Sequence, residues 1–153
     1  MPNLTVTTKE NITIQGKQMG STRTMIFQNI VDVFTRVFSF KQQTVTTLYS
    51  THNDTVSAGV FDDGSVKYAR ITSLGKEPIV VEIIGEGTLV SCVEIQQGQS
   101  HYLYSHTLST FAEGDALETA DYTALVDIDY VKVYCPRGAG RVEVFVASIE
   151  ASK

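Results

Sequence analysis

The sequence predicts an all-β chain: a single-domain antiparallel β-sandwich or small barrel, jelly-roll-like, of about eight to ten strands. Three observations carry this. Val, Ile and Thr make up 47 of the 153 residues, and their branched Cβ atoms fit a pleated surface better than a helix. Apolar and polar residues alternate in short runs, the pattern of strands with one buried face. Turns marked by Gly, Asn and Asp fall between those runs, and no repeat, linker or low-complexity segment divides the chain, so residues 1–153 read as one β-domain around one core.

In order, Leu4 to Thr8 and Asn11 to Gln15 are short alternating runs separated by Lys9-Glu10. They are expected to form a first hairpin or one bent edge strand, with residues 1–20 as an N-terminal arm or edge. Gly16 and Gly20 bracket a polar break. The segment TMIFQNIVDVFTRVFSF carries both helical and alternating spacing, and composition decides for strand because Val, Ile, Phe and Thr dominate without a capping residue. Val45 to Tyr49 is the next strand. Asp62-Asp63-Gly64 marks a hairpin turn, since Asp-Gly supplies the positive φ angles that a tight turn needs.

Ser65 to Ser73 and Ile79 to Ile84 follow as two strands folded about Leu74-Gly75-Lys76-Glu77-Pro78, the expected central hairpin of the fold. The alternation of the first is imperfect, with Val66 and Tyr68 in one phase and Ala69 and Ile71 in the other. That predicts a strand covered on both faces or bent by a bulge. Gly85-Glu86-Gly87 turns the chain into Thr88 to Ile95, with Leu89, Val93 and Ile95 inward. Gln96-Gln97-Gly98 leads into Ser100 to Thr107. Residues 112–120, richer in Ala, Asp and Glu, are expected to be a long loop or one short helix. Ala124 to Cys135, a turn over Pro136 to Gly140, and Arg141 to Ile149 complete the chain.

Charge and composition exclude several classes of function. The net charge is -5, and Lys and Arg are scattered singly, so no basic stripe exists to neutralise phosphates and nucleic acid is not an expected partner. No apolar run approaches the roughly 20 residues that span a bilayer, and MPNLTVTTKENITIQG alternates where a signal peptide would be continuously apolar. The expectation is therefore a chain made in the cytoplasm, without a membrane partner. Cys92 and Cys135 are then expected as free, mostly buried thiols, and the three Asn-x-Thr sequons as ordinary strand and turn sequence.

Candidate chemistry is sparse. His101 and His106 are five apart, so on one strand they point to opposite faces and do not share an ion. Tyr102, Tyr104 and His106 do share a face in that reading. They form either a platform for sugar rings or a protein interface, against the plainer alternative of a strand face covered by the chain itself. Asp62-Asp63 and Asp127-Ile128-Asp129 lack the several acidic residues at set offsets that a calcium loop needs. No nucleophile elbow, Cys-His pair with a supporting acid or phosphate loop occurs. No catalytic residue, metal or cofactor is assigned, and the chain is expected not to be an enzyme.

One resemblance narrows the reading. FTRVFSF, QQTVTTLYS, VSAGVF, SVKYARITSLG, EPIVVEIIG and QQGQSHYLYSH follow one another between Val31 and Ser109, about half the chain. This succession resembles small β-rich virion proteins of tailed bacteriophages, especially those of marine bacteria. Their pattern runs from a strand with an Arg-hydrophobic step through a Thr-rich strand, a V-K-Y-x-R-I-T-N-L hairpin and an apolar strand to a G-Q-S turn before an aromatic strand. Ala69 stands here where a bulkier apolar residue is common, and Ser73 where Asn is common.

The resemblance implies a non-enzymatic structural component of the virion, with the major capsid protein or other virion proteins as partners. Its foremost form is a capsid decoration (cement) protein that stabilises the head by bridging capsomers, each copy needing only a modest patch that the lattice multiplies. A neck, tail or fibre component is the alternative within the particle. A homotrimer is expected, with Leu4, Val6, Ile12 and Ile14 of the N-terminal run pairing with a neighbour through an edge strand. A carbohydrate-binding β-sandwich module using Tyr102 and Tyr104 is the alternative of a different class, although no Trp is present to supply the broadest platform.

Overall fold

Residues 2–52, 59–86, 90–109 and 125–151 are described by the computed structural model, and no α-helix occurs among them. Their strands are β1 (Leu4–Lys9), β2 (Ile12–Ile14), β3 (Lys17–Met19), β4 (Thr22–Phe27), β5 (Asp32–Phe40), β6 (Thr46–Ser50) and β7 (Gly59–Val60). These are followed by β8 (Val66–Ser73), β9 (Ile79–Gly85), β10 (Val90–Ile95), β11 (Ser100–Leu103), β12 (Thr107–Ser109), β13 (Leu125–Tyr134) and β14 (Gly140–Ser148). No helix among the described residues is long and apolar enough to cross a membrane. The expected loop at 112–120, and Leu89, lie outside the described residues.

One sheet has the order β11-β8-β14-β5, and the other β10-β9-β13-β6-β7 with β12 alongside β13. Leaving aside the short β7 and β12, the body strands taken in chain order lie first, eighth, third, sixth in one sheet and second, seventh, fourth, fifth in the other. That is the winding of a jelly roll. Among the described residues both sheets keep open edges, so the body is a sandwich and not the small barrel also expected. Its pairing is antiparallel except where β6 and β7 run parallel.

The space between the sheets is filled by alternate residues of both. Phe38, Ala69, Ile71, Val142, Val144 and Val146 come from one layer, and Leu48, Tyr49, Ile79, Val81, Ile83, Val131 and Val133 from the other. Most of these are wholly buried. At about 25 cal/mol per Å² of apolar surface removed from water, each buried Val, Leu, Ile or Phe contributes on the order of 1.5–3 kcal/mol.

The two central strands do not form a hairpin. β8 lies in one sheet and β9 in the other, so Leu74 to Pro78 arches over the core and the strands face each other across it. The backbone of this arch is satisfied from elsewhere: Leu74 N–H and Gly75 N–H donate to Arg141 O at 2.8 and 3.1 Å, and Gly98 N–H donates to Ser73 O at 2.8 Å. Asp62-Asp63-Gly64 is likewise an arch, from β7 to β8, although its chemistry is as expected. Gly64 has φ 70, and Ser65 N–H and Oγ–H donate to Asp62 O. Alternation has the same period in a hairpin and an arch, so the pattern alone does not separate them.

The bulge expected in β8 is present. The register on β14 passes from Ala147↔Tyr68 to Ser148↔Val66, leaving Lys67 unpaired. Val66 consequently joins Ala69 and Ile71 in the main core, while Tyr68 enters a second cluster on the outer face. The segment from Ile26 to Phe40 is strand, as composition suggested, but in two pieces. Between them Asn29 takes φ 60, and Ile30 N–H bonds to Pro2 O and Val31 N–H to Ser148 O.

The N-terminal strands do not pair with each other as two runs. β1 pairs with β4 from Leu4↔Phe27 to Lys9↔Thr22, Glu10 N–H donates to Ser21 O, and β2 pairs with β3 from Ile12↔Met19 to Ile14↔Lys17. The register never slips, so these four strands are one long antiparallel ribbon. Gln15 and Gly16, with φ 51 and 77, close its tip as a two-residue turn of the primed kind. This ribbon, with β7 and β12, accounts for the strands beyond the expected eight to ten.

Gly140 marks a close approach of backbone to a core ring. It pairs with Phe40, and a Cβ there would sit 2.2 Å from the Phe40 ring. Gly140→Ala is expected to lower the unfolding free energy by about 1–3 kcal/mol through overpacking. Urea denaturation checks this, and Phe40→Leu added to Gly140→Ala is expected to restore part of the loss.

Candidate functional site

The outer face of the β11-β8-β14-β5 sheet carries a cluster of aromatic rings that includes the exposed Tyr102 and Tyr104. Cross-strand register places Tyr68 opposite Ala147, Arg70 opposite Phe145 and Thr72 opposite Glu143, with Tyr102 opposite Arg70 on the other side. Tyr68 is the hub. Its ring centroid lies 5.5 Å from Phe27, 5.9 Å from Tyr104, 6.0 Å from Phe145 and 6.5 Å from Tyr102. Such tilted and edge-on contacts each add about 0.5–1.5 kcal/mol beyond the area they bury.

Tyr102 and Tyr104 stack with planes 3° apart and centroids 6.0 Å apart. They remain 42% and 45% exposed while Tyr68 beneath them is 4% exposed. Burial raises the Tyr68 phenol above its usual value; nearby Arg70 opposes the shift, and Tyr102 and Tyr104 add to it. Arg70 Nη2–H donates to Glu143 Oε1 at 2.6 Å and the guanidinium sits 5.7 Å from the Phe145 ring centroid. Both partners are about a third exposed, so the pair contributes roughly 0–1 kcal/mol. Its main effect is to hold Arg70 flat against the sheet beside the tyrosines.

The base of the ribbon closes one end of this face. Leu4, Val6 and Phe27 pack with Ile30, Tyr68, Phe145 and Ala147. A cleft of about 240 Å³ runs between Leu4 to Thr7 on one side and Tyr68, Arg70 and Phe145 on the other. The side chains of Leu4 and Val6, two of the residues expected to pair with a neighbouring chain, are half-buried against their own sheet. Ile12 and Ile14 are not: they are 54% and 50% exposed on the distal half of the ribbon.

His106 does not join Tyr102 and Tyr104. β11 ends at Leu103, after which the chain crosses to the other sheet and strand alternation no longer applies. There His106 O accepts from Ile128 N–H, and Nε2 lies 3.7 Å from Asp127 Oδ1. His101 is opposite Ile71, and partial burial lowers its pKa. Among the described residues no three His, Cys, Asp or Glu side chains converge to hold a metal ion. Cys135 is a buried free thiol as expected, but Cys92 is exposed on β10, because it falls in the outward phase opposite Glu82.

Sequence reasoning found Tyr102 and Tyr104 but missed Tyr68, Arg70 and Phe145 as their neighbours. The available signal was the i, i+2 spacing of Tyr68 and Arg70 in β8; Phe145 enters only through long-range pairing. No protein-family model, curated protein or solved structure matches the chain.

Removing the hub ring should detach the ribbon. Tyr68→Ala is expected to cost about 3–5 kcal/mol of stability, as for other buried aromatic truncations. Limited trypsin digestion should then cut faster at Lys9, Lys17 and Arg23, whereas Tyr68→Phe should leave both readouts near wild type.

Proposed function

We propose that this chain is a non-enzymatic structural protein of a bacteriophage particle, a capsid decoration protein that binds the major capsid protein and stabilises the head. The observation that carries the reading is the combination of a rigid jelly-roll body with a β-ribbon whose distal half stands exposed on every residue and ends in the apolar Ile12, Ile14 and Met19. A body of this kind occupies one lattice position while an arm bridges to the next, and lattice symmetry multiplies a modest contact. The succession of motifs from Val31 to Ser109 supports the same reading. Jelly rolls serve viral shells, lectins and enzymes alike, so the fold by itself does not choose among them. Made in the host cytoplasm, the chain would end in the virion.

Quantitative mass spectrometry of purified virions, with cryo-electron microscopy of the same particles, tests this. A shell-bound role predicts on the order of hundreds of copies with density on the head. About a dozen copies or fewer, confined to the neck or tail, would replace it with a neck, tail or fibre role, and absence from the particle would sink both.

One observation favours a second reading, a carbohydrate-binding module. The parallel, half-exposed Tyr102 and Tyr104 rings lie beside Arg70, an arrangement in which a sugar ring can stack on the phenols and hydrogen-bond to the guanidinium. On a glycan array this reading predicts binding by the wild type that Tyr104→Ala abolishes. A wild type that binds no glycan removes it.

A further inference from the structure

All eighteen residues from Thr7 to Thr24 are exposed, so this stretch of ribbon is not buried against any described part of its own chain. At about 3.3 Å per residue the eight steps from Thr7 to Gln15 give it a contour of roughly 26 Å. A two-stranded ribbon alone is marginal in water and gains stability from a further strand or a packed face. Gly20 bends this one: φ is 152, and a Cβ there would meet Glu10 O at 2.1 Å. Beyond the bend, Ile12, Ile14 and Met19 share one face, each half exposed.

Charge says what such a surface would meet. Residues 1–27 hold three basic side chains, Lys9, Lys17 and Arg23, and one acidic, Glu10, whereas the remainder of the chain holds nine basic and sixteen acidic. The arm is thus cationic and the body anionic, so the arm of one copy is attracted to the body of another. The body also offers an acceptor. Among the described strands β5, nine residues long, pairs on its β14 side alone, and it is the longest such edge of the two body sheets. Its outward residues Val33 and Val37 are 48% and 44% exposed, with Val31 ahead of them at 60%. Long apolar edges of this kind are templates for strand addition.

We propose that the distal ribbon of one copy docks on β5 of a second copy of this chain, laying Ile12, Ile14 and Met19 against Val33 and Val37. Arm and acceptor are different surfaces, so the contact is head-to-tail, and the proposed assembly is its closed form, the expected trimer. This holds or fails with purified protein alone, independently of any capsid.

The test measures solution mass by light scattering and sedimentation equilibrium over micromolar to hundred-micromolar protein. The wild type is expected at three times its 16.8 kDa chain mass, with association weakened at least about tenfold between about 50 and about 500 mM salt. Ile12→Asp/Ile14→Asp and Val33→Lys/Val37→Lys, all at exposed positions, should each run as monomers with unchanged circular dichroism and thermal midpoint. Mixing the two variants should form a heterodimer, because one supplies an intact acceptor and the other an intact arm. A monomeric wild type throughout the range, or an oligomer that survives both variants, overturns the proposal. Either result leaves the virion localisation to be decided separately.

Discussion

Everything in this molecule leans on β14. It is paired on both sides, to β5 from Gly140↔Phe40 to Ser148↔Asp32 without a slip, and to β8 from Val142↔Ser73 to Ser148↔Val66. Val142, Val144 and Val146 on its inner face are wholly buried in the main core. On its outer face Glu143 holds Arg70, while Phe145 and Ala147 seat Tyr68 and the ribbon base. A one-residue slip would exchange the two faces, exposing the valines and burying Glu143, so both neighbours hold the register strongly.

That double coverage explains how the arm is held. A ribbon clamped only by its own cross-strand pairs would fray, but here the first pairs of β1 and β4 place Leu4, Val6 and Phe27 over Tyr68 and Phe145. The outer face of the sheet becomes a second, smaller core at one end and stays an open aromatic surface at the other. The bulge at Lys67 makes this possible, because it turns Tyr68 outward while Val66 stays with the inner phase. One unpaired residue thus connects the jelly-roll body to the element that projects from it.

Among the described residues, the features that bear on the proposed function are surfaces and edges. Tyr102 and Tyr104 stand on the sheet's rim, the distal ribbon exposes an apolar, cationic end, and β5 leaves an edge open. A fold hosts many functions, and only the site selects among them. The basic excess lies on the first strands and the acidic excess on the rest of the chain.

By itself the sequence determined the all-β class, most strand positions, the glycine-marked turns and the irregularity in β8, and it put Tyr102 and Tyr104 on one face. These follow from local steric preference and from alternation, which any short window contains. Only the tertiary structure decided that β8 and β9 face each other across an arch, that β1 to β4 form one ribbon, that His106 leaves the tyrosines, and that Tyr68, Arg70 and Phe145 meet. Alternation has period two whichever strand lies alongside. The choice of neighbour depends on backbone hydrogen bonds and packing between segments far apart in the chain, as with Phe40 and Gly140, and no local pattern records that choice.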